Sequence, residues 1–195
     1  MKKILILFLF LSSLSFSQSG NQSTRKFWSK DNKLTKEDFK IKINDSFNEA
    51  IYSQFSISYS AKGFDFFKRN LNMRVQNIFL KSASWIDTLR ISETHEQIKF
   101  QQLQFDLSEV YTRKFRKRLL INKNKITKGV DLLNQISDNI LTEFSEERMK
   151  LIKETEGGRN IEKLKIWRKK INSLLNQLDV FRFENKKKIK LKSIK

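Results

Sequence analysis

The stretch FQQLQFDLSEVYTRKFRKR, residues 100–118, lies within a long segment that contains no proline and no glycine before Gly129. Apolar residues in and before this stretch recur at the spacing of one helical face; they are Ile91, Ile98, Leu103, Leu107, Val110 and Tyr111. Because residues three and four apart share a face of an α-helix, this pattern predicts a long helix that begins near Ile91.

Two further helices are predicted after the long one. The second has apolar residues at Val130, Leu133, Ile136, Ile140 and Phe144. Gly157-Gly158 interrupts the pattern, and glycine tolerates the backbone conformations that such a break requires. Asn160 is a suitable N-cap for the third helix. The apolar stripe of that helix consists of Ile161, Leu164, Trp167, Ile171, Leu174 and Leu178.

The residues before Ile91 show the period of β-strands instead. Apolar and polar side chains alternate in residues 39–43, 50–60 and 71–80, the last with a slip of one residue. Strands so close together in the sequence favour an antiparallel meander. We therefore expect an α+β fold, with a small antiparallel sheet in the N-terminal half packed on the long helix and two further helices behind it.

The N-terminal segment MKKILILFLFLSSLSFSQ, residues 1–18, has the features of an export signal. Two lysines precede an apolar run, and Ser15 and Ser17 occupy the positions that a signal peptidase inspects, which predicts a signal peptide over residues 1–17. The run is far shorter than the roughly 20 residues of a membrane span, although a retained anchor is an alternative. We expect an exported protein, periplasmic or secreted, with no transmembrane segment after cleavage. A flexible leader (18–26), one domain (27–180) and a basic tail (181–195) follow the signal.

Composition excludes several kinds of chemistry. The chain of 195 residues has no cysteine and a single histidine, His95. One chain therefore cannot form a disulfide, a thiol nucleophile, a cysteine-ligated metal site or a two-histidine metal site. The 40 Lys and Arg against 21 Asp and Glu give a formal net charge of +19. The excess of basic residues is concentrated in residues 111–130 and 159–195.

The basic segments are candidates for binding an anionic surface. Their residues are Arg113, Lys114, Arg116, Lys117 and Arg118 in the long helix, and Lys186, Lys187 and Lys188 in the tail. Few aromatic residues are interleaved with them, and for an exported chain anionic lipid or polysaccharide is a better partner than nucleic acid. A solvated basic helix face without a partner is the alternative.

His95 and Glu96 begin an incomplete zinc-binding pattern. The complete pattern places a second histidine four residues later, on the same helical face, with the glutamate as general base. That position is Lys99, whose charge repels a metal ion, so we interpret His95 as a surface residue. The sequence also has no G-x-S-x-G motif and no glycine-rich phosphate loop.

Several separated motifs resemble domain-of-unknown-function family 922, exported bacterial proteins described as zinc-dependent proteases. The family motif, approximately H-E-Q-x-H-F-D-I-x-E-x-Y-A-R-K-L-R, resembles residues 100–116 at Phe105, Asp106, Glu109, Tyr111, Arg113, Lys114 and Arg116. Ser84-Trp85 resembles the family's S-W-V, and residues 27–39 resemble its opening W…L-T-W-x-D-F. Residues 154–158, followed by Trp167, resemble its Y-D-x-E-T-x-H-G…W. The resemblance implies a zincin-like fold for most of the chain.

The residues that bind zinc and catalyse hydrolysis in that family are replaced in this chain. In the same register the two zinc-binding histidines correspond to Phe100 and Gln104, the catalytic glutamate to Gln101, and the third ligand to Gly157. Phenylalanine has no metal-binding atom, glutamine does not accept a proton at neutral pH, and glycine has no side chain. The resemblance therefore implies a degenerate member that has lost its catalytic residues and its zinc cofactor.

The function expected from the resemblance is binding or assembly at the cell envelope. The partner would be an envelope protein or peptide, or an anionic lipid or polysaccharide, and the former substrate cleft suggests an extended peptide. Two alternatives remain open. One is an active zinc-dependent peptidase with an atypical site at His95 and Glu96, and the other is a basic protein that binds anionic polymers of the envelope.

Overall fold

The structure is a computed structural model in which residues 24–44, 50–60, 70–127 and 131–190 are described. The predicted signal peptide (1–17), most of the predicted leader and the last five residues of the tail lie outside these ranges. Strand β1 covers Arg25–Phe27, so the end of the predicted leader belongs to the folded part. None of the helices in the described ranges is long and apolar enough to cross a membrane.

Two three-stranded sheets form the N-terminal half, where the sequence predicts a single one. In the first sheet, β5 (Val75–Leu80) lies between β1 and β4 (Phe55–Tyr59) and is antiparallel to both. In the second, β6 (Trp85–Asp87) lies between β2 (Ile41–Ile43) and β3 (Ile51–Tyr52). Strand β6 is antiparallel to β3 but parallel to β2, so the predicted antiparallel meander describes only part of the arrangement.

The division into two sheets depends on short elements. Residues 50–60, predicted as one strand, are interrupted at Ser53 and Gln54. There the Gln54 N–H donates to Oγ of Ser84 (3.0 Å), and the chain leaves β6 to pair with β5. Strands β1 and β6 have only three residues each, too few for a period of two to be recognised in the sequence.

Three helices form the second half, as predicted, and confirm the α+β class. They are α1 (Ile91–Ile126), α2 (Asp131–Glu154) and α3 (Ile161–Gln177). Helix α1 contacts both other helices and strands of both sheets. Because it is covered on several sides, residues 100–113 are buried almost without interruption, polar side chains included. Such a helix has no single polar face, and its middle must satisfy its polar groups internally.

Aromatic side chains form the contact between α1 and the first sheet. Phe105 of α1 stacks on Phe55 of β4, with ring centroids 5.4 Å apart. Phe79 of β5 lies 6.1 Å from Phe105 and makes an edge contact with Phe39 at 5.2 Å. All four rings are buried, and clusters of this kind contribute strongly to a hydrophobic core.

The junction between α2 and α3 has the predicted glycine break and N-cap. Gly157 and Gly158 have φ angles of +66° and +92°, a region that side chains with a Cβ rarely adopt. Asn160 then begins α3, and its Oδ1 accepts a hydrogen bond from the backbone N–H of Lys163 at 3.1 Å.

The described part of the predicted basic tail, residues 181–190, is docked against α1. Phe181 and Ile189 are buried together with Leu120 of α1. The side-chain amide of the buried Asn72 donates to the carbonyls of Val180 (2.9 Å), Arg182 (3.0 Å) and Asn185 (3.2 Å). The row of lysines concealed these apolar and amide contacts from the sequence prediction.

Candidate functional site

A cleft of about 700 Å³ lies between β3, the first half of α1, the C-terminal part of α2 and the α2–α3 junction. Four positions singled out by the family resemblance line it: Phe100, Gln101, Gln104 and Gly157. Phe100 and Gln101 are adjacent in α1 and Gln104 lies about one turn later, whereas Gly157 is more than 50 residues away in the sequence. The fold therefore places next to one another the four positions that the family resemblance had aligned with zinc-binding and catalytic residues.

Phe100 is packed against the backbone of the α2–α3 junction. A Cβ at Gly158 would lie 2.6 Å from Cγ of Phe100 and 2.9 Å from its Cβ, closer than carbon atoms approach. Gly158 is thus required both by its φ angle and by the ring beside it. At the neighbouring Gly157 nothing lies within 4 Å of an added Cβ, so only the φ angle restricts that position.

Gln101 and Gln104 belong to a chain of hydrogen bonds that begins at Arg148 of α2. Nε of Arg148 donates to Oε1 of Gln104 (2.8 Å), and Nε2 of Gln104 donates to Oε1 of Gln101 (3.0 Å). Nη2 of Arg148 also donates to the carbonyl of Ser53 (3.1 Å), and its guanidinium lies 5.0 Å from the ring centroid of Phe55. Arg148 therefore has the position of a structural cation within the cleft.

The residues of this cleft do not fit a zinc ion. Phe100 and Gly157 supply no side-chain ligand, and the only oxygen of the Gln104 side chain already accepts from Arg148. A guanidinium at hydrogen-bonding distance from a supposed ligand would repel a divalent cation. Across the described ranges, no group of three or more His, Asp or Glu side chains is placed to hold a metal ion.

Glu96 lines the cleft at its exposed edge, and His95 precedes it in α1. Both side chains are exposed, and the Glu96 carboxylate accepts from Nζ of Lys99 at 2.8 Å. That hydrogen bond, with a smaller contribution from the charge of Lys99, lowers the pKa of Glu96 from its ordinary value. A glutamate held by a lysine is a weaker base, which is the opposite of what the general base of a peptidase requires.

Strand β3 presents a backbone edge to the cleft. The Asp87 N–H donates to the Ala50 carbonyl (2.9 Å), so the alternation of an antiparallel pair turns the backbone groups of Ile51 and Ser53 away from β6. Among the described residues no strand pairs with this edge. Arg148 already donates to the Ser53 carbonyl, which leaves the Ile51 N–H and C=O and the Ser53 N–H directed to this side.

A second cavity, of about 870 Å³, lies on the other side of α1 and contains a network of buried charges. The Glu109 carboxylate accepts from Nε of Arg113 (3.0 Å) and from Nη1 of Arg116 (2.9 Å). Arg116 also donates to the carbonyls of Val75 (2.7 and 3.1 Å) and Phe181 (2.9 Å). Burial lowers the pKa of Arg116, and the Glu109 charge opposes that shift. The network joins α1 to β5 and to the C-terminal segment.

This network corrects part of the predicted anionic-binding surface. Arg113 and Arg116 are 4% and 1% exposed, so neither can reach a lipid or polysaccharide. Lys114, Lys117 and Arg118 are half-buried, and Arg118 pairs with Glu143 at 2.7 Å. The three lysines of the tail are exposed as predicted: Lys186, Lys187 and Lys188. The spacing of Arg113 four residues after Glu109 was a signal for a helical ion pair.

Two residues of the cleft were not predicted from the sequence. Arg148 follows Gln104 by 44 residues and Ser53 precedes α1, and neither belongs to a recognisable motif. Only the packing of α2 and β3 around α1 brings them to the two glutamines. No protein-family model matches the chain, and neither a curated protein nor a solved structure shows significant similarity to it. The resemblance to family 922 thus stays a prediction.

Proposed function

We propose that the chain is an exported, non-catalytic relative of the family 922 proteins that acts as a binding or assembly protein at the cell envelope. Its ligand is an extended peptide segment of an envelope protein, bound in the cleft beside β3. The observation that carries the proposal is the convergence of Phe100, Gln101, Gln104 and Gly157 on one cleft in which none of them can hold zinc or act as a base.

The residues retained from the family pattern support the proposed relationship by their contacts. Trp28, from the first motif, donates through Nε1 to Oδ1 of Asp106 in the helix motif at 2.8 Å. Trp167 donates in the same way to Oε2 of Glu154 (2.8 Å), and both come from the last motif. The contact between Trp28 and Asp106, whose motifs are distant in the sequence, is expected if one ancestral fold has been kept.

The retained and the replaced residues also differ in their tasks. The retained Glu109, Arg113 and Arg116 hold elements of the fold together, whereas the replaced positions face the cleft. If catalysis had been lost while the fold was preserved, residues that stabilise the fold would be retained and residues that face the cleft would be replaced, as is the case here. A scaffold kept without its chemistry is retained for its surface, which favours a binding role.

The edge of β3 supports a peptide as the ligand. An extended peptide can add to an unpaired strand edge through main-chain hydrogen bonds, and the Ile51 N–H and C=O face the cleft for such pairing. The strand is short, so most of the affinity must come from side chains that enter the cleft.

Binding to N-acetylated, C-amidated heptapeptide libraries tests the proposal, with hydrolysis of the same libraries measured in added zinc. We expect binding and no cleavage. The variant Gln97→Trp, at a half-exposed position lining the cleft, should abolish binding, whereas Gln135→Trp on an exposed face of α2 should not. Cleavage that disappears in Glu96→Gln would establish the active peptidase instead, and absence of any peptide binding would refute the peptide role.

Binding of anionic envelope polymers is a second candidate, favoured by the exposure of Lys186, Lys187 and Lys188. It predicts an affinity for anionic vesicles or polysaccharide that falls steeply with salt and is largely lost when the three lysines are replaced by glutamine. Salt-insensitive or absent binding would rule it out.

A further inference from the structure

Gln101 presents a side-chain hydrogen-bond donor to the cleft, and its identity follows from Arg148. A guanidinium can only donate, so the Gln104 atom facing Nε of Arg148 must be the oxygen. Nε2 of Gln104 then points to Gln101 and fixes the Gln101 oxygen as its acceptor (3.0 Å). The amide nitrogen of Gln101 is left as a donor, and no described residue accepts from it.

Ser53 supplies a second unsatisfied group. Its side chain is fully buried at the edge of the same cleft, and its Oγ is the one buried side-chain polar atom without a partner in the described part of the chain. Buried hydroxyls are almost always hydrogen-bonded, so the Ser53 hydroxyl is available to a group or a water molecule that enters the cleft. A hydroxyl can donate to an incoming oxygen, as Gln101 can.

The charge of the cleft has the matching sign. Three arginines line it, Arg90, Arg148 and Arg159, and among its described lining residues the only carboxylate is that of Glu96, which is paired with Lys99. Arg159 is exposed at the α2–α3 junction. The combination of uncharged donors inside and arginines around them favours an anionic acceptor and disfavours a cation or an amine.

The position of β3 determines how a carboxylate would enter. Ile51 and Ser53 are buried and Tyr52 is exposed, so the first and third side chains face α1. A segment paired with the edge of β3 would direct alternate side chains to the same covered face, towards Gln101. A side-chain carboxylate can therefore reach the interior while the peptide backbone stays at the strand edge.

From these observations we propose that the cleft recognises an aspartate or glutamate side chain of an extended peptide, through Ser53, Gln101 and the surrounding arginines. This inference rests on the proposed peptide-binding function and specifies its ligand.

The test compares two peptide pools that differ in one group. The pools are acetyl-XXXEXXX-amide and acetyl-XXXQXXX-amide, with X an equal mixture of Ala, Ser, Thr and Val. Titration of the ¹⁵N-labelled chain gives the affinity and, from the Gln101 side-chain amide signals, the place of binding. We expect the Glu pool to bind about tenfold more tightly, as hydrogen bonds to a charged group allow. Ser53→Ala and Arg159→Gln should each remove several-fold of that preference, whereas Lys125→Gln at the exposed end of α1 should not.

The outcomes separate this inference from the function on which it rests. Equal binding of both pools would overturn carboxylate recognition and leave the peptide-binding role intact. Binding of neither pool would overturn both. If Ser53→Ala and Arg159→Gln leave the preference for the Glu pool unchanged, the carboxylate binds elsewhere, and the inference is also overturned. A third pool, acetyl-XXXX with a free C-terminus, distinguishes a terminal carboxylate: tighter binding of that pool than of the Glu pool would contradict a side-chain ligand.

Discussion

Two neighbouring parts of α1 bury polar side chains in different ways. At residues 109–116, the Glu109 carboxylate and two guanidiniums satisfy one another and the surrounding carbonyls. At residues 100–104, a chain of hydrogen bonds from Arg148 ends at Gln101 with a donor left over, beside the unpartnered hydroxyl of Ser53. The first part therefore explains the stability of the fold. The second has the incomplete hydrogen bonding expected of a binding site.

Among the variants considered, removal of the Glu109 carboxylate should have the largest effect on the stability of the fold. In Glu109→Gln two buried guanidiniums lose the carboxylate that they share, so the free energy of unfolding should fall by about 3–5 kcal/mol. Urea denaturation measures the change. The matched variant Glu96→Gln, at an exposed carboxylate, should unfold at an unchanged urea concentration. Equal stability of both variants would show that the buried network does not hold the fold together.

The two glycines of the α2–α3 junction test how closely Phe100 is packed at the end of the cleft. Gly158→Ala should lower the free energy of unfolding by about 3 kcal/mol, because the φ angle is strained and the new Cβ would overlap Phe100. Gly157→Ala has only the strain, about 1 kcal/mol. Thermal or urea denaturation of the pair isolates the steric part. Equal losses would mean that Phe100 does not fill this end of the cleft.

Asn72 tests how firmly the C-terminal segment closes the charged side of α1. Asn72→Ala removes a buried amide that donates to three carbonyls of the segment, and we expect a loss of about 2 kcal/mol. Limited trypsin digestion should then cleave faster at the lysines of residues 186–188. The exposed Asn134, which accepts from the Tyr59 hydroxyl, provides the control, since Asn134→Ala should change neither property.

The smallest expected effect is on the stability of the protein at acidic pH, through Asp38. Burial raises the pKa of Asp38, but hydrogen bonds from Lys26, the Thr35 backbone and Lys81 outweigh it, so the pKa lies below its ordinary value. The resulting stability is present above the unfolded pKa of about 4 and is lost as the pH falls through the folded pKa. Urea midpoints between pH 6 and 2 should therefore show that the deficit of Asp38→Asn shrinks on acidification. A constant deficit would contradict the shift.

The helical half could be predicted from the sequence because its signals are local. The break at Gly157-Gly158 and the cap at Asn160 depend on residues within one turn, and both occur as expected. The sheets could not be predicted fully, since the parallel pairing of β2 with β6 joins residues more than 40 positions apart. Strands of two or three residues also carry no readable period.

The candidate cleft contains the helix positions singled out from the sequence, but its hydrogen bonding was not predicted. The family register pointed to Phe100, Gln101 and Gln104, whereas Arg148 and Ser53 reach the cleft only through packing. The opposite error concerned Arg113 and Arg116, which the basic run suggested as surface residues. A charge run shows how many cations a helix carries, whereas the elements packed against α1 determine which of them are buried.

The metal content of the protein tests the central claim most directly. The chain is purified, dialysed against zinc, freed of unbound metal and measured for zinc per chain by elemental analysis. If the cleft at Phe100, Gln101, Gln104 and Gly157 has lost its metal chemistry, the protein should retain far less than one zinc per chain. One zinc per chain that is lost in His95→Ala would contradict the proposal and restore an active peptidase.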